Sequence, residues 1–195
     1  MIITISGVPG SGKTSVGKII AEKLGYPFYS VGALRGRMAM EKGMTLDEFN
    51  ALGETDSSTD TMADDYQKKL GSKEDNFVIE GRLSWYFMPK SFKIFLDCAP
   101  AEAAKRILAS KSERPDEKVS SDLAEVQKTL EARQASDVRR YQKIYGIDYL
   151  DKGHYDLVLD TTPLGSAKET ADRVFAYLEP IPRKGPWAPR GPLRP

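Results

Sequence analysis

The chain has 195 residues, of which 40% are hydrophobic and 29% are charged, a composition typical of a single globular domain with a sizeable core. A formal net charge of +1 argues against bulk electrostatic binding of nucleic acid. The single cysteine, Cys98, excludes an internal disulfide and suits a reducing compartment. No run approaches the roughly 18 apolar residues of a membrane-spanning helix, and the first predicted strand leaves no room for a signal peptide. We therefore expect a cytoplasmic protein.

Short apolar runs alternate with helical patterns along the chain, which predicts an α/β fold with a mainly parallel sheet and helices on both faces. Five runs are predicted to be strands, at residues 2–6, 26–29, 77–80, 93–97 and 155–160. The spacing of apolar residues predicts helices at residues 15–24, 33–41, 45–52, 58–70, 100–109, 121–145 and 166–178. The third of these helices opens with a capping box formed by Thr45 and Glu48.

Residues 7–14 fit the phosphate-binding pattern G-x-x-x-x-G-K-[ST] and lie between a predicted strand and a predicted helix. A buried strand that turns sharply into a helix points consecutive backbone N–H groups, and the positive end of the helix, at one spot. Lys13 would reach the β- and γ-phosphates and Thr14 would hold Mg²⁺, whereas the alternative is a chance glycine-rich turn. The residues predicted to bind the nucleotide phosphates are Gly7, Gly10, Ser11, Gly12, Lys13, Thr14 and Ser15.

Two other segments place arginines just after predicted strands. Gly81 and Arg82 follow the third strand, at the carboxyl end where parallel sheets bind ligands, and the planar fork of Arg82 suits a phosphate. Ser30 and Arg35 follow the second strand and would form a second anion-binding corner. The alternatives are a surface salt bridge for Arg82 and helix capping by Ser30 with solvated arginines.

A third set of charges lies on the long helix predicted at residues 121–145. Arg133, Asp137 and Arg140 are spaced i, i+4, i+7 and therefore share one face. No large apolar side chain lies between residues 130 and 138, so we expect this face to lie outside the core. Polyphosphate chemistry needs several cations around the transferring group, and ion pairs on a solvated helix are the alternative interpretation.

The remaining candidates are single residues. Arg106, on the preceding predicted helix, adds a cation. Asp97 ends the fourth strand, where a Walker-B carboxylate would hold Mg²⁺, and a strand-end turn residue is the alternative. His154 is the one histidine, which argues against a histidine-based triad or metal cluster. We expect Trp85 and Tyr86 to pack in the core rather than to stack on a base.

The last sixteen residues, 180–195, depart from the composition of the rest of the chain, because they hold six of the twelve prolines and four basic residues. Such a segment can bury little apolar surface, so we expect a solvated and disordered end. The alternative is a docking tail for an anionic surface or for a proline-recognising partner.

Several segments occur together in an informative order, namely MIITISGVPGSGKT, YSVG, VIEGRLS, IFLDCAP followed by KRI, and RRYQKIYGIDY. With them the chain resembles the cytidylate kinases from residue 1 to about 178, in particular the short archaeal-type branch of the P-loop nucleoside monophosphate kinases. The resemblance implies a three-layer P-loop kinase fold with a five-stranded parallel sheet of order 2-3-1-4-5. It also implies a kinase domain at residues 1–179, with a monophosphate-binding insertion at about 30–70 and a lid at about 110–135.

In that family the glycine-rich loop holds the phosphates of ATP, and the resemblance assigns further residues to the acceptor and the transfer. Those implied to bind the acceptor are Ser30, Arg35, Arg82 and Asp137. Those implied for catalysis are Lys13, Arg133 and Arg140, and Arg106 matches an arginine that enters the lid and is assigned to ATP. Many monophosphate kinases place a phosphate-contacting arginine four residues after the glycine of the second segment. That position is Gly36 here, flanked by Arg35 and Arg37, either of which could substitute for it.

The resemblance implies a monomeric enzyme that uses ATP and Mg²⁺ to phosphorylate a nucleoside monophosphate, in particular CMP or dCMP, by direct in-line transfer. Its partners would then be small-molecule substrates rather than nucleic acid or a membrane. One alternative is another small-molecule P-loop kinase, either for a different nucleotide or of the shikimate type. The other is a nucleotide-binding regulatory protein without transferase activity, which Gly36 and the proline-rich tail would favour.

Overall fold

A computed structural model describes residues 1–113 and 119–178. The proline-rich tail, and residues 114–118 of the predicted lid, lie outside the described residues. The strands are β1 (Ile3–Gly7), β2 (Phe28–Ser30), β3 (Val78–Glu80), β4 (Phe92–Asp97) and β5 (Leu157–Asp160). The α-helices are α1 (Lys13–Leu24), α2 (Val31–Glu41), α3 (Leu46–Leu52), α4 (Ser58–Lys73), α5 (Ser84–Phe87), α6 (Pro100–Ala109), α7 (Leu123–Tyr145) and α8 (Ala167–Leu178).

The five strands form one parallel sheet in the order β2-β3-β1-β4-β5, as the family resemblance implied. β1 lies between β3 and β4, with Ile5 paired to Glu80 and Gly7 paired to Leu96. The carboxyl ends of the three central strands therefore meet at one edge, which is the edge where parallel sheets bind ligands.

Helices cover both faces of the sheet and give it three layers. On one face, α1 and α8 pack Val16, Ile20 and Val174 against the strand residues Ile3 and Ile5. On the other face, α6 and α7 pack onto β4 around an apolar group that includes Phe95, Ala103, Leu130 and Tyr149. A parallel sheet buried in this way requires nearly continuous apolar strands, and every residue of β1 is buried.

The local predictions for the helices hold in most places. Thr45 and Glu48 form the predicted capping box at the start of α3. The sequence missed α5, because four residues are too few to show a helical period. Within the part of the chain that the structure describes, no helix has both the length and the apolar content needed to cross a membrane.

Candidate active site

The glycine-rich loop joins β1 to α1 and takes its shape from glycine. Gly7, Gly10 and Gly12 all have positive φ, at 142°, 77° and 85°. A Cβ atom on Gly7 would lie 2.1 Å from the carbonyl oxygen of Leu96, and one on Gly10 would lie 2.7 Å from the Ala103 Cβ. The loop therefore passes too close to β4 and α6 for any larger residue, while its backbone remains free to wrap a phosphate.

Lys13 begins α1 and folds back into the loop. Its ammonium donates a hydrogen bond to the Val8 carbonyl at 2.6 Å, and the side chain is buried. Ser11 donates to the same carbonyl at 2.9 Å. Burial, reinforced by the charge of Arg82, lowers the pKa of Lys13 well below its ordinary value. An anion in the loop would relieve this unfavourable burial, which fits a lysine that binds a phosphate.

Thr14, Ser30 and Glu80 converge from three elements at the carboxyl end of β3. The Thr14 hydroxyl donates to Glu80 Oε1 at 3.1 Å, and the Ser30 hydroxyl donates to the same oxygen. Ser30 also caps α2 by accepting the amide N–H of Ala33 at 3.0 Å. The alternative of helix capping with solvated arginines is therefore confirmed for Ser30 but not for Arg35, which is buried. Glu80 received no role from the sequence, and its signal was its place directly before Gly81 and Arg82.

Asp97, which the sequence predicted as a Mg²⁺ ligand, makes its hydrogen bonds away from Thr14. Asp97 ends β4 as predicted, but its Oδ2 accepts a hydrogen bond from Lys152 Nζ at 2.9 Å and its Oδ1 accepts from the Cys98 amide at 3.0 Å. No contact between Asp97 and Thr14 occurs among the described residues, because the Thr14 hydroxyl turns toward β3. The carboxylate beside Thr14 is Glu80.

Five side chains form a continuous chain of alternating charge, which we call the ionic cluster: Arg82, Asp137, Arg140, Asp60 and Arg35. Arg82 Nε donates to Asp137 Oδ2 at 3.0 Å, and the other oxygen of Asp137 binds Arg140. Arg140 Nη1 donates to both oxygens of Asp60, at 2.5 and 2.7 Å. Asp60 Oδ1 also accepts from Arg35 Nη1 at 2.9 Å. The cluster links α2, α4 and α7 to the end of β3.

This burial overturns the expectation that the charged face of α7 lies outside the core. Asp137 is 4% exposed and Arg140 only 2%. Burial alone would raise the pKa of Asp137, but Arg82 and Arg140 together hold it below its ordinary value. The face is charged and yet buried because α4 supplies the carboxylate of Asp60 opposite it, a contact between residues 80 positions apart in the sequence.

Arg82 joins the ionic cluster to the loop. Its Nη1 donates to the Gly7 carbonyl at 3.1 Å, while its Nε holds Asp137. The surface salt bridge considered for Arg82 is therefore wrong, since the pair with Asp137 is largely buried. Arg82 therefore contacts the glycine-rich loop and Asp137 at the same time.

Arg35 is held inside the segment that the sequence predicted as the monophosphate-binding insertion. Its Nε and Nη2 both donate to Asn50 Oδ1, at 3.2 and 3.0 Å, and its Nη1 also donates to the Thr59 carbonyl at 2.9 Å. Arg37, by contrast, is exposed on α2. Arg35 thus braces α2 against α3 and α4, and Arg37 is the arginine beside Gly36 that faces solvent.

Arg133 and Arg106 lie at the rim of the site. Arg133 is half-buried and lines a shallow cleft together with residues of α3, α6, α7 and the segment just before α7. Arg106 Nη1 donates to Thr161 Oγ1 at 3.0 Å, and its Nη2 donates to the carbonyls of Thr161 and Leu164 at 2.8 and 3.2 Å. The Thr161 hydroxyl donates to the Asp97 carbonyl at 2.8 Å and lies 3.4 Å from the Ser11 carbonyl, so Thr161 connects Arg106 to β4 and to the edge of the loop.

The two aromatic residues after Arg82 behave differently. Trp85 is buried and stacks on His154 at a centroid distance of 4.4 Å, which confirms the expectation that it packs in the core. Tyr86 is exposed, so the same expectation is wrong for it.

The sheet order, the glycine-rich loop and the lysine at the start of α1 place the protein in the class of P-loop kinase folds. Among solved structures, shikimate kinase from Bacteroides thetaiotaomicron has this fold, with a TM-score of 0.63 at 18% identity over 92% of this chain and 98% of that one. The model of the cytidylate kinase-like family matches residues 2–163, and the chain belongs to that family.

Two archaeal relatives are proteins named cytidylate kinase. The one from Methanocella arvoryzae is 37% identical over 181 residues, covering 93% of this chain and 98% of that protein. The one from Methanococcoides burtonii is 39% identical over 162 residues, covering 83% of this chain and 88% of that protein. The similarity therefore spans the glycine-rich loop, the ionic cluster and nearly the whole described fold.

Proposed function

We propose that the protein transfers the γ-phosphoryl group of ATP to a nucleoside monophosphate, in particular CMP or dCMP. The observation that carries the proposal is that Arg82 contacts both the glycine-rich loop and Asp137 of the ionic cluster, so the loop proposed to bind ATP lies beside a set of buried arginines. Family membership and the relatives named cytidylate kinase support the choice of acceptor.

The donor side would be formed by the loop and its surroundings. The loop amides would bind the ATP phosphates, Lys13 would exchange the Val8 carbonyl for the β- and γ-phosphates, and Arg106 would hold the adjoining loop after β5. The full set proposed for ATP is Gly7, Gly10, Ser11, Gly12, Lys13, Thr14, Ser15 and Arg106.

The residues at the end of β3 fit a magnesium ion. Mg²⁺ prefers hard oxygen ligands and is commonly held by one or two protein groups together with substrate phosphates. The hydroxyl of Thr14 and the carboxylate of Glu80, already 3.1 Å apart, are such a pair, and they support the site better than Asp97 does. When bound, the ion would neutralise charge on the β- and γ-phosphates.

The acceptor side would be formed by Ser30, Arg35, Arg82, Arg133, Asp137 and Arg140. An oxygen of the acceptor phosphate would attack the γ-phosphorus in line, the bond from that phosphorus to the bridging oxygen would break, and ADP would leave. Lys13, Arg133 and Arg140 would match the charge that spreads over the transferring oxygens. Asp137 would keep Arg82 and Arg140 in place, as its two hydrogen bonds already do.

We further propose that the enzyme is a cytoplasmic monomer.

One assay tests the function: purified protein with ATP and Mg²⁺ is offered CMP, dCMP, UMP, AMP, GMP and shikimate, and release of ADP is measured. We expect the highest kcat/KM with CMP or dCMP. Turnover of shikimate alone, or of no acceptor, would contradict the proposal.

A further inference from the structure

A second group of buried polar residues has no part in the function proposed so far. It consists of Asp64, Gln67, Ser84 and Tyr145, and we call it the polar cluster. The Tyr145 hydroxyl donates to Asp64 Oδ2, and the Gln67 amide donates to Asp64 Oδ1 at 3.4 Å. The Ser84 hydroxyl donates to Gln67 Oε1 at 2.7 Å. Asp64, Gln67 and Ser84 are buried, so contact with solvent does not explain why polar residues occupy these three positions.

Three of the four segments that build the ionic cluster also build the polar cluster. In each segment, a residue of the ionic cluster is followed closely by one of the polar cluster: Asp60 and Asp64 in α4, Arg82 and Ser84 after β3, Arg140 and Tyr145 in α7. Residues four apart on a helix share a face, so Asp64 lies one turn along α4 from Asp60. A nucleotide with its phosphate at the arginines would extend its sugar and base along these walls toward the polar cluster.

Asp64 differs from the carboxylates of the ionic cluster because its charge is not paired. Asp60 and Asp137 each contact two arginines, whereas no ion pair to Asp64 occurs within residues 1–113 and 119–178. Burial raises the pKa of Asp64 to about 6, so the carboxylate is largely ionised at pH 7 although its site disfavours the charge. An asparagine could bond to Tyr145 and Gln67 without that penalty, so packing alone does not explain an aspartate here.

We propose that Asp64 and Gln67 contact the base of the acceptor and select cytosine over uracil. The inference rests on the proposed function, since it assigns base recognition within that acceptor site. An ionised carboxylate can only accept hydrogen bonds. The N4 amino group of cytosine donates, and carboxylates pair with it, whereas uracil presents an oxygen at that position that the carboxylate repels. Gln67 Nε2, now in a long hydrogen bond, would donate to a ring acceptor of the base.

The test is the ratio of kcat/KM for CMP to kcat/KM for UMP, measured with ATP and Mg²⁺. We expect the wild-type protein to prefer CMP and Asp64→Asn to lower the ratio by about 10-fold or more, because one specific base contact is worth about 1–3 kcal/mol. Asp65→Asn is the matched control, since Asp65 is the next residue of α4, is exposed and pairs with Lys68 at the surface. It should leave the ratio unchanged.

A second variant guards against a failure of Asp64→Asn to fold. Gln67→Met has a side chain of similar length, removes the amide donor and adds no charge beside Asp64, and it should raise the KM for CMP while leaving the KM for ATP unchanged. A wild-type ratio in a folded Asp64→Asn protein would overturn the inference, as would an unchanged KM for CMP in Gln67→Met. A wild-type enzyme that phosphorylates monophosphates without distinguishing CMP from UMP would overturn base recognition alone, whereas one inactive on every monophosphate would overturn the proposed function itself.

Discussion

The glycine-rich loop and the ionic cluster meet at Arg82, yet they are held by different forces. The loop is eight consecutive residues, and its shape comes from glycine backbone angles and close approach to β4 and α6. The ionic cluster is five side chains from four segments, held by charge-assisted hydrogen bonds in a buried setting. A substitution in the loop should therefore impair chemistry with little loss of stability, whereas one in the cluster should affect both.

The largest expected effect is that of Arg140→Ala on stability. Removing one partner of a buried ion pair typically costs about 3–5 kcal/mol, because it leaves a buried charge without compensation. Arg139→Ala is the matched control, since Arg139 is exposed and its pair with Glu54 should contribute about 0–1 kcal/mol. Urea unfolding of the two variants measures the difference. Equal losses in both would mean that the ionic cluster is ordinary surface.

Lys13→Ala tests the glycine-rich loop, where a substitution should impair chemistry with little loss of stability. Loss of one charge contact in the transition state lowers kcat by about 10²–10³-fold. The melting temperature should fall little, because the burial of Lys13 already disfavours its charge. A folded variant with near-full activity would contradict the donor site.

The pH dependence of stability distinguishes the unpaired carboxylate of Asp64 from the paired carboxylates. Its pKa is about 6 in the folded protein against an ordinary 3.8, so between these values the folded state binds more protons than the unfolded state. The contribution of Asp64 to stability therefore falls as pH rises from about 4 to about 6, by at most about 3 kcal/mol. Asp64→Asn should remove this fall. The free energy of unfolding of the variant, measured with urea, should therefore rise relative to that of the wild type between pH 4.5 and pH 7. A constant difference between the two proteins would contradict the pKa.

Arg82→Ala should weaken the binding of both ATP and CMP, because Arg82 donates to the Gly7 carbonyl as well as to Asp137. Hydrogen bonds to a charged group contribute about 1.5–3 kcal/mol, which corresponds to about 10- to 150-fold in binding. Separate titrations of ATP and CMP measure the two losses. A loss confined to CMP would show that the loop does not depend on Arg82.

The sequence by itself determined the parts of the protein that depend on neighbouring residues. The loop follows from closely spaced glycines and a lysine, the capping box from Thr45 and Glu48, and the strands from short apolar runs. Each of these is decided by backbone geometry or by contacts a few residues apart, so the pattern and the structure agree.

The tertiary structure decided which charges are buried and which carboxylate meets Thr14. β3 and β4 both flank β1 and both end in a carboxylate, and only the direction in which the Thr14 side chain points selects Glu80 over Asp97. Asp60 and Asp64 lie on a predicted helix and received no role from the sequence, because their partners Arg140 and Tyr145 lie 80 and 81 positions further along the chain. The cost of burying a charge depends on what packs against it, and that is fixed only when α4 and α7 come together.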